Sequence, residues 1–160
     1  MSEVILRPAR YRDAPKIAAM SHAFIEHGLR PAWTTARIAG HVQHAESVVL
    51  TATSLGMLAG FAIMQFGDDT AHLNLLAVTP AHRRRGVGRR LVRWLEETAL
   101  TAGTFLIELE LRAGNSGARA FYESLGYAQI ARLPRYYQGI EDAARMQRDV
   151  RIGQNSARLR

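Results

Sequence analysis

Leu73-Asn74-Leu75-Leu76-Ala77-Val78-Thr79-Pro80-Ala81-His82-Arg83-Arg84-Arg85-Gly86-Val87-Gly88-Arg89-Arg90-Leu91-Val92-Arg93-Trp94-Leu95 is the stretch on which the remainder of the chain depends. An apolar run of strand length, a turn containing Pro80, a Gly-x-Gly pair and a helical pattern through Leu91, Val92, Trp94, Leu95 and Leu100 read in order as strand, loop and helix. The loop therefore delivers a helix N-terminus. Gly86 and Gly88 let the backbone turn tightly and approach a ligand with no Cβ in the way, so that amide N–H groups converge on one anion. The helix dipole adds to that attraction. Arginines at 83, 84, 85, 89, 90 and 93 make the surroundings positive. A pyrophosphate suits such a loop; the plainer alternative is a solvated, basic helix start whose glycines serve only the turn. Dinucleotide and Walker-type loops fit less well, because there is no third glycine at the right spacing and no Gly-Lys-Ser/Thr ending.

At 160 residues the chain reads as one domain over 1–152, long enough to bury a sizeable core, with a polar, aperiodic and flexible tail over 153–160. No apolar run approaches the ~20 residues of a membrane span, and Met1-Ser2-Glu3 has no signal-peptide character, so a cytoplasmic location is expected. With no cysteine there is no disulfide framework, no thiolate metal site and no acetyl-cysteine intermediate; any acyl transfer must run directly from donor to acceptor. Formal charge is +7, and Lys16 is the only lysine among 21 basic residues, the rest being arginine. Such basicity suits a polyanionic partner: nucleic acid, a ribosome or a phosphorylated cofactor. Its concentration beside the glycine loop favours the cofactor over nucleic acid.

Val4 to Leu6 reads as a first strand. A helix capped at or near Asp13 carries Ile17, Ala18, Met20 and Phe24, and Gly28 and Pro31 break it. Thr34 or Thr35 caps a second helix bearing Ile38 and Val42. Ser47 to Thr53 and Met57 to Phe66 form a hairpin through Ser54-Leu55-Gly56, and Gly67-Asp68-Asp69 turns the chain into Ala71 to Val78, completing an antiparallel meander. After the loop helix, Phe105 to Arg112 alternates strictly, with Glu108, Glu110 and Arg112 on one face; a strand reached by a helical crossover is expected to run parallel to the strand before it. Asn115 or Ser116 caps a helix through Phe121, Tyr122 and Leu125, stopped by Gly126. Strands over Ala128 to Leu133 and Ala144 to Val150, joined by Pro134-Arg135-Tyr136-Tyr137-Gln138-Gly139, close the domain.

Arg83-x-x-Gly86-x-Gly88 after a Leu-Ala-Val strand resembles the acetyl-CoA loop of the GNAT N-acetyltransferase superfamily. A second block resembles it too: Leu109-Glu110-Leu111-Arg112-Ala113-Gly114-Asn115, then Ala118, then Phe121-Tyr122-Glu123-Ser124-Leu125-Gly126-Tyr127. With Tyr136-Tyr137 and Glu141-Asp142-Ala143 this block looks most like the ribosomal-protein alanine N-acetyltransferases. The resemblance covers about Ala71 to Val150; the N-terminal third matches only in its order of elements. It implies an α/β (α+β) GNAT fold, with a mixed, mostly antiparallel sheet of about six or seven strands, splayed central parallel strands and about four flanking helices.

The resemblance further implies that Leu76, Ala77 and Val78 offer backbone groups to the pantetheine arm and that Arg84, Arg85, Gly86, Val87, Gly88 and Arg89 cradle the pyrophosphate. Backbone N–H groups near Val78 would hold the oxyanion, and Asn115 would contact acetyl-CoA, unless it only caps its helix. Glu110 matches the general base, acting through water, and Tyr122 the general acid; the alternatives are a solvent-facing strand carboxylate or one salt-bridged with Arg112, and a core tyrosine beside Phe121. A thioester is already activated, so the enzyme must supply a neutral amine, a held carbonyl and a proton for the thiolate. An α-amine, near pKa ~8, needs less help than a lysine near ~10.4. The likeness of the C-terminal block to the ribosomal-protein enzymes implies a protein N-terminus as the preferred acceptor, with a small-molecule amine or a lysine still open, and a non-catalytic CoA-binding or ribosome-associated module as the rival class. His72 is a second candidate base, placed where some superfamily members carry a glutamate. His41 and His44 lie three apart on a helix with no evident third ligand, so no metal is expected. Tyr136 and Tyr137 either line a peptide groove or pack at a strand end. Oligomeric state is not legible.

Overall fold

The structure, a computed structural model, describes residues 2–153; apart from Gly153, the expected tail lies outside the described residues. Seven strands, β1 (Val4–Pro8), β2 (Ser47–Ser54), β3 (Met57–Phe66), β4 (Thr70–Val78), β5 (Leu106–Arg112), β6 (Ala128–Tyr137) and β7 (Glu141–Asp149), form one sheet in the order β1-β2-β3-β4-β5-β7-β6. Four α-helices accompany them: α1 (Ala14–Phe24), α2 (Thr35–Gln43), α3 (Val87–Ala102) and α4 (Ser116–Ser124). β4 and β5, joined by the α3 crossover, pair in parallel, whereas β1–β2, β2–β3, β5–β7 and β6–β7 are antiparallel. This is the mixed α/β GNAT architecture expected from the sequence. The residues group into two compact units, one running to Phe66 and taking in Leu73–Leu95, the other made of Gly67–His72 and the chain from Glu96 onward.

In the first unit the apolar stripes of α1 and α2 cover one face of the strands. Ile17, Ala18 and Met20 of α1 and Ile38 and Ala39 of α2 are buried with Val49, Phe61, Ile63, Leu75 and Ala77. The Thr34 hydroxyl caps α2, accepting from Arg37 N at 3.1 Å. Asp13 stands at the N-cap of α1, but its carboxylate turns back to accept from Arg10 N at 2.7 Å and from Arg7 at 3.0 Å. Ser54 faces Met57, so the β2–β3 turn has two residues, Leu55 and Gly56, both at positive φ as the twist of a tight hairpin demands.

A buried carboxylate shapes the segment between α1 and α2. Glu26 accepts from the Ser21 hydroxyl at 3.0 Å and from the backbone N–H groups of Ala32 and Trp33, drawing the ends of that segment together.

In the second unit Ile107, Leu109 and Leu111 of β5, Ala143, Ala144 and Met146 of β7, and Leu125 and Tyr127 are buried. Glu96 on α3, 3% exposed, accepts from Tyr127 Oη at 3.0 Å and from Arg148 Nη1 at 2.6 Å, partners without which a buried carboxylate would be costly.

The end of the chain departs from the sequence reading. β6 runs through Pro134 to Tyr137 and β7 begins at Glu141, so the expected six-residue link shrinks to a turn at Gln138-Gly139-Ile140. Pro134 fits inside a strand because β6 is the last strand of the sheet and its register with β7 shifts between Leu133 and Tyr137.

Candidate active site

The glycine loop lies in the first unit. α3 starts at Val87, whose side chain is buried, and Arg90 N donates to Gly86 O at 3.0 Å as the first turn closes. Gly86 adopts φ +80°, so its glycine is required. The second left-handed residue is Arg84, at φ +60°, and not Gly88, which sits in the first turn of α3. Arg84, Arg85 and Arg89 are exposed around a helix start with no acidic residue in its first turn, a setting that favours an anion. Leu76, Ala77 and Val78 form the end of β4. The Val78 carbonyl accepts from Arg83 Nε at 3.0 Å, and that guanidinium lies 5.1 Å from the Phe24 ring.

Glu110 stands at the centre of the second unit's polar cluster. The parallel register sets His72 opposite Glu108, which places His72 on the face that also carries Glu110. His72 Nε2 lies 2.8 and 3.0 Å from the two Glu110 oxygens. Tyr136 Oη donates to Glu110 Oε1 at 2.9 Å, and Arg145, the β7 residue facing Glu110, brings Nη2 to 3.7 Å. The Glu110 side chain is only 7% exposed. Burial alone would raise its carboxyl, but the His72 hydrogen bond and charge, the Tyr136 hydroxyl and Arg145 outweigh it and hold the group below its ordinary value. Glu110 is thus an ionised, acceptor-only carboxylate at neutral pH. Arg112, the partner considered for it from sequence, pairs with Glu141 at 3.3 Å.

Tyr122 projects from α4 and is 8% exposed, with Phe121 and Tyr127 set edge-on at 5.0 and 5.6 Å. Burial, and then the neighbouring Tyr137, push its phenol well up from 10. At neutral pH it is therefore a protonated phenol, able to donate. Asn115 caps α4, its Oδ1 accepting from Ala118 N at 3.0 Å.

His41 and His44 do not converge. His41 Nδ1 lies 2.9 Å from the Ser47 hydroxyl and its ring stacks on Trp33, while His44 Nδ1 accepts from Glu46 N. Among the described residues no group of three or more His, Cys, Asp or Glu could hold a metal ion, and no helix is long and apolar enough to cross a membrane. The structure joins His72 and Tyr136 to Glu110, partners that sequence spacing did not link. Both come from strands distant in the chain, and only strand register reveals them.

The model of the acetyltransferase (GNAT) family matches residues 15–127, a span that runs through both units, and the chain belongs to that family. It is similar to the [Ribosomal protein bS18]-alanine N-acetyltransferase of Salmonella typhimurium, 42% identical over 97 residues, covering 59% of this chain and 66% of that protein. The N-alpha-acetyltransferase RimI of Mycobacterium tuberculosis is 36% identical over 103 residues, covering 61% and 63%. The chain thus spans just under two thirds of the length of these relatives. The crystal structure of the ribosomal-protein-S18-alanine N-acetyltransferase from Escherichia coli superimposes with a TM-score of 0.79 at 30% identity, covering 92% of this chain and 94% of that one.

Proposed function

We propose that this chain, as one catalytic domain over 1–152, is an acetyl-CoA-dependent N-acetyltransferase that moves the acetyl group directly from the thioester to a primary amine, preferably the α-amine of a protein N-terminus. The observation that carries the reading is the Glu110 carboxylate, buried on the parallel strand pair of a GNAT fold and held by His72, Tyr136 and Arg145. That carboxylate and its imidazole supply the base. Leu76, Ala77 and Val78 bind the pantetheine arm through their backbone, with an N–H near Val78 at the developing oxyanion. Arg84, Arg85, Gly86, Val87, Gly88 and Arg89 hold the pyrophosphate, and Asn115 contacts the cofactor in addition to capping α4. Tyr122 hydrogen-bonds the departing thiolate. Direct transfer needs no thiol, and the chain has none.

An α-amine is the easier acceptor, because its pKa near ~8 leaves a useful neutral fraction at pH 7, whereas a lysine near ~10.4 leaves almost none. The similarity to enzymes named for a ribosomal-protein alanine points the same way.

The test is thiol release from acetyl-CoA with a panel of amines, joined to mass spectrometry of α-amine peptides. Acetylation at the α-amine is the expected result; lysine or small-amine acetylation alone removes the N-terminal acceptor, and the absence of thiol release with every amine removes the enzyme. In the same assay Tyr122→Phe should lower kcat on the order of 10²-fold while leaving acetyl-CoA affinity nearly unchanged.

A further inference from the structure

Arg145 joins the Glu110 cluster with donors to spare. Strand register sets it opposite Glu110 on β5 and opposite Ala131 on β6. Residues opposite one another in an antiparallel pair share a face of the sheet, so Arg145 lies on the face that carries Glu110. That carboxylate is already engaged: Tyr136 Oη donates to Oε1 at 2.9 Å, and His72 Nε2 lies 2.8 and 3.0 Å from the two oxygens. Arg145 Nη2 is left 3.7 Å from Oε1, an ion pair beyond hydrogen-bond length. Ala131, its neighbour on the other side, offers a methyl group and no side-chain acceptor. Among the described residues Arg145 Nε is one of two buried side-chain polar atoms without a hydrogen-bond partner, while the side chain as a whole is 33% exposed.

A guanidinium is a planar fork made only of donors. Resting on the N-acetyltransferase reading, we infer that Arg145 reads the acceptor, its outer nitrogens donating to the carbonyl oxygen of the residue that bears the α-amine. In an α-aminoacyl group that oxygen lies roughly 3 Å from the amine nitrogen. An amine brought to Glu110 through a water therefore carries the oxygen within reach of a guanidinium that stands 3.7 Å from the same carboxylate. A lysine side chain bears its amine at the end of a run of methylenes and has no such oxygen to present, and neither has a simple alkyl amine.

A neutral carbonyl suits this position better than a carboxylate, because Glu110 is ionised and a second negative charge would face it across a few ångströms. The selectivity has a physical source. An acceptor with the carbonyl satisfies donors that the protein leaves unmet; an acceptor without it displaces the water that served them and puts nothing in its place. Arg145 also helps to hold the Glu110 carboxyl down. That electrostatic effect acts on every amine alike, whereas the carbonyl contact acts only on acceptors that own the oxygen.

The test compares kcat/KM for an alanyl peptide with that for its isostere in which a trans alkene replaces the first amide, keeping the shape and deleting the carbonyl oxygen. Wild type should favour the peptide by roughly 10- to 100-fold beyond the difference in neutral amine fraction. In Arg145→Met, which keeps an extended stem and removes the donors, that advantage should shrink to within about threefold, with KM for acetyl-CoA unchanged. Arg145→Gln, whose amide stops short of the place held by Nη2, should shrink it likewise and serves if Arg145→Met does not fold. The variants isolate the oxygen, since whatever else is lost with the amide is lost equally in them. A wild type without the advantage, or variants that keep it and slow both acceptors alike, overturns the inference and leaves the acetyltransferase standing. Wild type that acetylates no amine takes both down.

Discussion

At Glu110 two effects act in opposite directions on one carboxyl group. Removal from water raises it, while the His72 ring, the Tyr136 hydroxyl and Arg145 lower it and prevail. A folded-state value below the ordinary 4.5 means that the cluster contributes stability above that pH and loses it as pH falls through the lowered folded value. Tyr136→Phe removes one donor and lets the carboxyl return part of the way, so acid unfolding should set in at a higher pH. The cost at neutral pH should be only about 1 kcal/mol, because Tyr136 is 46% exposed and solvent screens the bond. Denaturant melts at neutral and acid pH check this; an unchanged acid midpoint would show that Tyr136 does not govern the carboxyl. Glu110 and Tyr122 stood out in the sequence as candidates because a strand end, a turn and a helix start put them in one local motif. That His72 and Tyr136 meet Glu110 was not legible, because they reach it across 38 and 26 residues of chain and only through strand register. The depth at which the Tyr122 phenol is buried was not legible either, since periodicity does not report it.

Among the elements, β3 and β4 show what close approach requires. A Cβ built on Gly60 would lie 2.9 Å from the Ala77 carbonyl oxygen, a backbone atom that cannot swing aside as a side chain does. Gly60→Ala should therefore destabilise the protein by about 1–3 kcal/mol and disturb β4 just where the pantetheine arm is proposed to bind. Loss of acetyl-CoA affinity along with the lowered melting temperature is the expected pair of readings, and a variant as stable as wild type would contradict it. The helices were legible from apolar spacing and from caps such as Thr34, whose signal is local. Boundaries near the end of the chain were not: Pro134 punctuates a sequence, yet an edge strand with an irregular register absorbs it. In the glycine loop the second left-handed residue is an arginine, which the sequence did not suggest, because a bulky side chain at positive φ leaves no trace in composition.

Over the whole molecule the formal charge is +7, and the acidic residues near the polar cluster are already engaged. Glu141 pairs with Arg112, Asp142 takes two nitrogens of Arg132 and the Arg135 N–H, and Glu108 is bonded to Gln147. Of these, Glu108 keeps an uncompensated charge, its partner being a neutral amide, so the negative field left to attract a cationic peptide is small. On the proposed reaction, peptides with Asp or Glu after the α-amine should therefore be acetylated with kcat/KM about tenfold above Arg- or Lys-rich ones, and the gap should narrow as salt rises. Equal rates at low salt would show that the acceptor meets a different field. The balance of charge types also bears on self-modification. A guanidinium keeps its proton at any working pH and does not attack a thioester, so of the cationic side chains only Lys16, exposed on α1, is an amine able to do so. A protein that has written its positive charge in arginine has put almost none of its own side chains within reach of the reagent it is proposed to carry.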